Sequence, residues 1–323
     1  MRIGVIGSMV WDVIYNRDAT ARPIEEWGGI TYTLSGLDAA LPDDWEIVPL
    51  IKVGQDLISR ARQFASTLER LAPDAALIEV PYPNNRVELR YYDDERRSEI
   101  LSGGVPAWSW LGLKPVIDDA RLDALYVNFL SGWELDLDTM RLLRRHFDGP
   151  IYCDLHMLAW AVQPDGLRTL RPIPNVREWC ECFDFLQMNE DEMSMMAPDP
   201  MTLAATALHA GVKSLVVTLG KRGVVYFAAP EFERFSDLRK TQPLGASLGP
   251  VRTALVPPPA VVGGGGDPTG CGDVWGATYF SRLLAGDKLN DAILAAHRAA
   301  ARNVEHRGAT GLANHLRGKI SLT

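Results

Sequence analysis

Asp267-Pro268-Thr269-Gly270-Cys271-Gly272-Asp273 is the stretch on which the reading of this chain turns. It follows four glycines, Gly263 to Gly266, and precedes apolar residues at Val274, Ala277, Phe280 and Leu284, with Gly286 ending the run. Intervals of three and four place those side chains on one face of a helix. The N–H groups of Gly270, Cys271 and Gly272 then stand at a helix N-terminus, where donors lack partners and the macrodipole is positive. Such an end suits an anion, phosphate above all. Asp273 falls in the first turn, beside the point where negative charge would arrive. Either it acts on what binds there, or it only complements the helix dipole next to a flexible glycine turn. Seven residues leave both readings open.

The segment resembles the C-terminal signature D-T-x-G-A-G-D of the ribokinase-like sugar kinases, the PfkB carbohydrate kinase family. Asp267, Thr269, Gly270, Gly272 and Asp273 match, while Pro268 and Cys271 stand where the family usually has Thr and Ala. Neither replacement removes a needed donor, since proline precedes the anion hole and cysteine keeps its N–H. The resemblance implies that Asp273 is the general base for an acceptor hydroxyl. It also implies that the amides of Gly270, Cys271 and Gly272 steady the phosphoryl group in flight. A thiol at a helix N-terminus can have a lowered pKa, so Cys271 is expected to be reactive if its side chain reaches the site.

Composition sets outer bounds. The 323 residues carry a formal charge of −8 and are 47% hydrophobic, enough for a sizeable core. The acidic balance argues against nucleic-acid and membrane-surface partners, which need clustered Lys and Arg. No apolar run reaches the roughly 18 residues of a membrane span, and Met1 to Gly7 reads as a strand and turn rather than a signal peptide. Cys153, Cys180, Cys182 and Cys271 lack metal-site spacing, so reduced thiols in the cytoplasm are expected.

Taken in order, residues 2–6 alternate as a first strand ending at Gly7-Ser8. A dinucleotide-binding GxGxxG is missing there, which sets an NAD-dependent oxidoreductase aside. Asp12 follows the strand's C-terminal end, where open α/β sheets bind ligands. Trp27-Gly28-Gly29-Ile30 comes next; paired glycines allow close approach of a ligand or merely a turn. In the family, an upstream Asp binds substrate hydroxyls and a Gly-Gly leads into a helix facing the sugar; Asp12, Gly28 and Gly29 match. Thr33 replaces a frequent Asn. Residues 85–100 read as a hairpin with a polar turn through Asp93-Asp94-Glu95. By resemblance it belongs to a small β lid contributed by about 12–35 and 80–105.

From 122 to 228 near-continuous apolar strands (125–130, 151–155, 185–188, 215–218) alternate with helical runs at 138–147, 176–183 and 201–210. That is βαβ organisation, a doubly wound and mostly parallel α/β sheet with helices on both faces. His156 forms no metal pattern and reads as a loop or core histidine. Asn189-Glu190-Asp191-Glu192 matches the family's N-x-x-E, implying that Asn189 and Glu192 organise Mg²⁺ and its waters; a helix N-cap is the alternative for Asn189. Thr218-Leu219-Gly220-Lys221-Arg222-Gly223 resembles a T-x-G-x-x-G turn whose Thr218, Gly220 and Gly223 would meet nucleotide phosphates, together with Thr269. No P-loop is present. Residues 230–262 read as a long irregular segment. On a helix from Asn290, His297 matches a position that packs against adenine in ribokinases, with a core histidine as the alternative.

The resemblance spans residues 3 to about 311 and implies one ribokinase-like α/β kinase domain over 1–323. The implied activity is transfer of the γ-phosphoryl group of ATP, with Mg²⁺, to a hydroxyl of a sugar or related small polyol. Two alternatives stay open: a nucleoside kinase on the same fold, and a non-catalytic ligand-binding or regulatory homologue. A homodimer paired through the lid is one assembly the resemblance allows.

Overall fold

The computed structural model describes residues 1–15, 22–91, 97–230, 232–235, 250–259 and 266–319. The expected hairpin tip at Asp93-Asp94-Glu95, the first three glycines of the run Gly263 to Gly266, and most of the 230–262 segment lie outside these residues.

The centre is an eight-stranded sheet. From one edge its strands run Arg252–Val256, Val224–Ala228, Ser214–Thr218, Phe185–Asn189, Ile151–Asp154, Ala124–Asn128, Arg2–Ile6 and Glu46–Leu50. Pairing is parallel from Ser214–Thr218 to Glu46–Leu50 and antiparallel in the two pairs at the other edge. The edge strand Arg252–Val256 corrects the sequence reading, which took that stretch as irregular. Its Leu255 is exposed, so burial left no pattern to read there.

Strand side chains alternate between two cores. Ile3, Val5, Tyr126, Tyr152, Phe185 and Val216 face one layer, built with the helices Ile30–Ala40, Cys271–Leu284 and Leu289–Val304. Leu125, Val127, Ile151, Cys153, Leu186 and Val217 face the other, with Trp110–Ala120, Leu137–His146 and Pro200–His209. A period of two with both faces apolar is what a buried parallel strand requires. The helices start where the sequence offers caps. Asp136 accepts from the Thr139 amide at 2.7 Å and Asp199 from the Thr202 amide at 2.9 Å, each stabilising its helix by about 1 kcal/mol.

A second, four-stranded sheet lies beyond the first strand, in the order Ile24–Gly29, Met9–Tyr15, Arg86–Tyr91, Arg97–Ser102. The sequence allows Gly28-Gly29 a close approach or a turn, and the resemblance implies that the pair leads into a helix, as it does here. The strand that carries the two glycines is the unforeseen part: Val10 pairs with Gly28 and Met9 with Gly29, and the helix begins at Ile30. Strand order in the large sheet reverses beside Arg2–Ile6, since the next parallel strand lies on one side and Ala124–Asn128 on the other. Crevices at such reversals, beyond the C-terminal strand ends, are where these sheets hold ligands. Among the described residues no helix is long and apolar enough to cross a membrane.

Candidate active site

A cavity of about 390 Å³ opens at that place. The strands Ile151–Asp154, Phe185–Asn189 and Ser214–Thr218 end in polar residues that line it, Asp154, Asn189 and Thr218, and Ala124–Asn128 ends in Asn128, which is buried and bonded to the lining residue Asp273. Apolar strands that end in a polar side chain deliver it to the sheet's rim while the rest stays packed.

Across from them stands the N-terminus of Cys271–Leu284. Gly270 caps it with φ +75°, and a β-carbon there would lie 2.1 Å from the Tyr32 ring. Only glycine takes both that left-handed backbone and that approach. The Cys271 N–H is used in a turn bond to the Pro268 carbonyl at 3.1 Å. The Gly270 and Gly272 N–H groups have no acceptor among the described residues. The anion-binding end therefore offers fewer free amides than the three expected from sequence.

Asp273 lines the cavity. Its Oδ1 accepts from Asn128 Nδ2 at 2.7 Å and from Thr33 Oγ1 at 3.3 Å, and Asn128 also donates to Thr33 at 3.1 Å. Burial raises its pKa; the opposing pull of His156 and of the Asn128 and Thr33 hydrogen bonds is smaller. The carboxyl is thus positioned as a proton acceptor with more basicity than a solvated Asp. Asn128 did not figure in the sequence reading, although a lone amide closing the apolar run Ala124–Asn128 was a readable signal.

Asp12 lines the opposite wall. Gly28 lies next to it, and a β-carbon on Gly28 would fall 1.9 Å from the Asp12 carboxylate. Gly29 also lines the cavity, and so do Thr218, Gly220 and Thr269. Gly28 and Gly223 are not among the lining residues.

His297 is placed elsewhere. It is buried, its Nδ1 accepts from Trp275 Nε1 at 3.3 Å, and Nε2 meets the Val256 carbonyl at 3.0 Å. Burial lowers its pKa, so it sits as a neutral packed ring outside the cavity lining. Cys271 Sγ also turns from the phosphate end, toward the Ala300 carbonyl (3.5 Å) and Asn303 Nδ2 (3.3 Å). Burial pushes its thiol up to about 11, so the lowering that a helix N-terminus can give is not realised. Desolvation outweighs the helix dipole once the sulfur faces the neighbouring helix.

Asn189 and Glu192 lock each other. Asn189 Oδ1 caps the Glu192 amide at 2.9 Å, Glu192 Oε2 accepts from the Asn189 N–H at 2.9 Å, and Asn189 Nδ2 donates to Oε1 at 2.8 Å. His156 Nδ1 reaches the same Oε1 at 2.9 Å. Glu192 is 1% exposed. Burial alone would lower the His156 pKa, but its hydrogen bond to Glu192 and the charges of Glu192, Asp154 and Asp273 push it up to about 9. An amide oxygen spent on a cap and a carboxylate shared with an imidazolium do not fit direct ligands for Mg²⁺, which wants free oxygens. No group of three or more His, Cys, Asp or Glu among the described residues is arranged to hold a metal ion.

Other unforeseen lining residues complete the site. Asp154 accepts from Gln187 Nε2 at 2.9 Å, and the same nitrogen donates to the Gly272 carbonyl at 3.0 Å, tying sheet to helix. Arg168, buried, pairs with Glu99 at 3.2 Å and donates to the Leu130 carbonyl at 2.8 Å.

Residues 164–315, just under half the chain, match the model of the pfkB family carbohydrate kinases. No curated protein matches the sequence. Among solved structures, a pyrophosphate-dependent kinase in the ribokinase family superposes with a TM-score of 0.71 at 15% identity, covering 96% of this chain and 97% of that one. Ribokinase from Cryptococcus neoformans var. grubii serotype A in complex with ADP gives 0.64 at 17% identity, over 99% of both chains. The Burkholderia thailandensis nucleoside kinase in complex with inosine gives 0.68 at 14% identity, over 97% and 94%. The fold is ribokinase-like, and the resemblance read from the motifs is borne out.

Proposed function

We propose that this chain, ribokinase-like in fold and matched by the pfkB carbohydrate kinase model over residues 164–315, is an ATP-dependent kinase. It phosphorylates a hydroxyl of a small acceptor that carries a sugar or polyol. The single observation behind this reading is the Asp273 carboxylate in the cavity, at a helix N-terminus, held by Asn128 and Thr33.

The acceptor hydroxyl lies between Asp12 and Asp273. Its oxygen attacks the terminal phosphorus of the donor, the bond from that phosphorus to the bridging oxygen breaks, and ADP leaves. The hydroxyl proton passes to Asp273, which burial makes a stronger proton acceptor than a solvated Asp. The Gly270 and Gly272 amides and the helix end steady negative charge on the transferred group. Mg²⁺ arrives as part of the MgATP substrate; Asn189 and Glu192 shape the wall beside it rather than ligate it. The four-stranded sheet, which supplies Val10, Asp12, Val87, Leu89 and Glu99 to the cavity, acts as a lid that excludes water, the competing acceptor.

Asp273→Asn keeps the side-chain volume and removes the base. Turnover is expected to fall on the order of a hundredfold or more, with thermal stability and ADP binding close to the parent's. An Asp273→Asn enzyme that phosphorylates at the parent rate sinks the assignment. The rival reading, a binding protein without turnover, predicts no acceptor-dependent ADP release from the parent chain.

A further inference from the structure

We infer that the phosphoryl acceptor is a nucleoside-class molecule, a hydroxyl-bearing ring joined to a flat heterocycle, rather than a free sugar or polyol. The inference rests on the kinase reading above and deepens it. It comes from the chemistry of the wall that the four-stranded sheet presents to the cavity.

That wall has two polar ends with an apolar middle. Asp12 pairs in register with Val87, and Leu89 with Glu99. Val10, Val87 and Leu89 belong to one buried aliphatic cluster and also line the cavity. Leu130 closes the wall beside them: a β-carbon on Gly29 would lie 3.3 Å from Val10 Cγ2 and 3.4 Å from Leu130 Cδ1. One end therefore carries the Asp12 carboxylate. The other carries the Glu99–Arg168 ion pair, whose arginine is fixed by the Leu130 carbonyl.

Four aliphatic side chains neither donate nor accept. A free pentose, hexose or cyclitol has hydroxyls around its whole ring, and pressing them on this surface leaves several without partners. Each buried, unpaired hydroxyl weakens binding by roughly five- to a hundredfold. A flat heterocycle has faces without hydrogen-bonding groups, so it fills the aliphatic middle at no such loss, and its apolar contact area adds affinity. Its edge carries ring nitrogens, carbonyls or amino groups. A guanidinium that donates beside a carboxylate that accepts complements such an edge. The attached ribose then meets Asp12, with a hydroxyl directed to Asp273.

The test uses the full chain with MgATP and two acceptor panels: adenosine, inosine, cytidine and uridine against free ribose, fructose and myo-inositol. Acceptor-dependent ADP release gives kcat/KM, and phosphorus NMR identifies the new phosphomonoester. Binding is measured separately by calorimetry on Asp273→Asn, so that recognition is read without turnover. At least one nucleoside is expected to exceed every free sugar or polyol by about a hundredfold in kcat/KM and to bind the variant. A free sugar or polyol turned over as well as the best nucleoside overturns the inference and leaves the kinase reading standing. Nucleoside binding with no phosphoryl transfer overturns the kinase reading and leaves the ligand class standing. Neither binding nor transfer with any nucleoside, with no free sugar turned over either, overturns both.

Discussion

Asp273 is set by its neighbours, and the pH dependence of the reaction should report them. Its pKa is raised by burial and pulled back by His156, Asn128 and Thr33. The base works deprotonated, so kcat/KM falls as pH drops through that pKa, at a higher pH than for an ordinary Asp. Asn128→Ala removes a 2.7 Å bond to the charged form. Such bonds contribute about 1.5–3 kcal/mol. The acid limb should therefore move to higher pH, and by less in Thr33→Val, whose bond is 3.3 Å. A profile unchanged in Asn128→Ala means that Asp273 does not govern that limb. Cys271 gives the opposite lesson about position. Its side chain faces Ala300 and Asn303 with the thiol pushed up to about 11, so alkylation at pH 7.5 should be slow and equal with and without MgATP. Nucleotide protection would place the sulfur in the site. The sequence reading placed the residue correctly on the helix but had no means to set the direction of its side chain, which depends on a helix 29 residues further on.

At the scale of the element, everything depends on how one helix begins. Gly270 holds φ +75° with the Tyr32 ring where a β-carbon would go, and Tyr32 is 2% exposed and cannot swing away. A left-handed backbone costs an L residue about 1–2 kcal/mol and overpacking about 1–3 kcal/mol more. Gly270→Ala should lower Tm by roughly 5 °C or more, at about 2–4 °C per kcal/mol for a chain of this size, and reduce turnover as the helix end shifts. Gly272→Ala is the control: the nearest atom to its β-carbon is Gln187 Nε2 at 3.8 Å, so Tm should stay within about 2 °C. Equal Tm losses in the two variants would refute the packing argument. Elements of this kind were legible in proportion to how strongly burial wrote them. The strands Ile151–Asp154 and Phe185–Asn189 are buried on both faces and read as apolar runs. Arg252–Val256 hangs on an edge with its middle exposed and carries no such pattern. The strand Ile24–Gly29 ends in two glycines, which on sequence alone signal a turn. Asn189 could be read as a cap or as a metal contact, and only its bonds with Glu192 in the fold show the capping box.

Across the whole molecule, segments far apart in sequence are fastened by a few buried charges, and these lay beyond sequence reasoning because no local pattern announces a partner. Asp38, on the helix Ile30–Ala40, has no exposed side chain; its Oδ2 accepts from Arg317 at 2.6 Å and its Oδ1 from the Arg70 amide at 2.6 Å. One carboxylate thus joins an early helix, the turn near residue 70 and the helix Leu312–Arg317. Burial raises the Asp38 pKa, and the Arg70 amide and Arg317 only partly offset this. A raised folded-state value means that the folded chain holds the proton more readily than the unfolded one. The group therefore costs stability as pH rises from the unfolded value through the folded one. Arg317→Ala takes away the compensating cation and drives the folded value higher. The loss should be about 3–5 kcal/mol at pH 8 and shrink at pH 5, where the unpaired carboxyl can be protonated. Urea unfolding at the two pH values measures it. Adding Asp38→Asn to Arg317→Ala should recover most of the loss at pH 8, because an amide oxygen can still accept from Arg70 without a buried charge. A deficit of the same size at both pH values, or no recovery in the double variant, would mean that Arg317 stabilises through packing of its stem and that Asp38 is no electrostatic anchor.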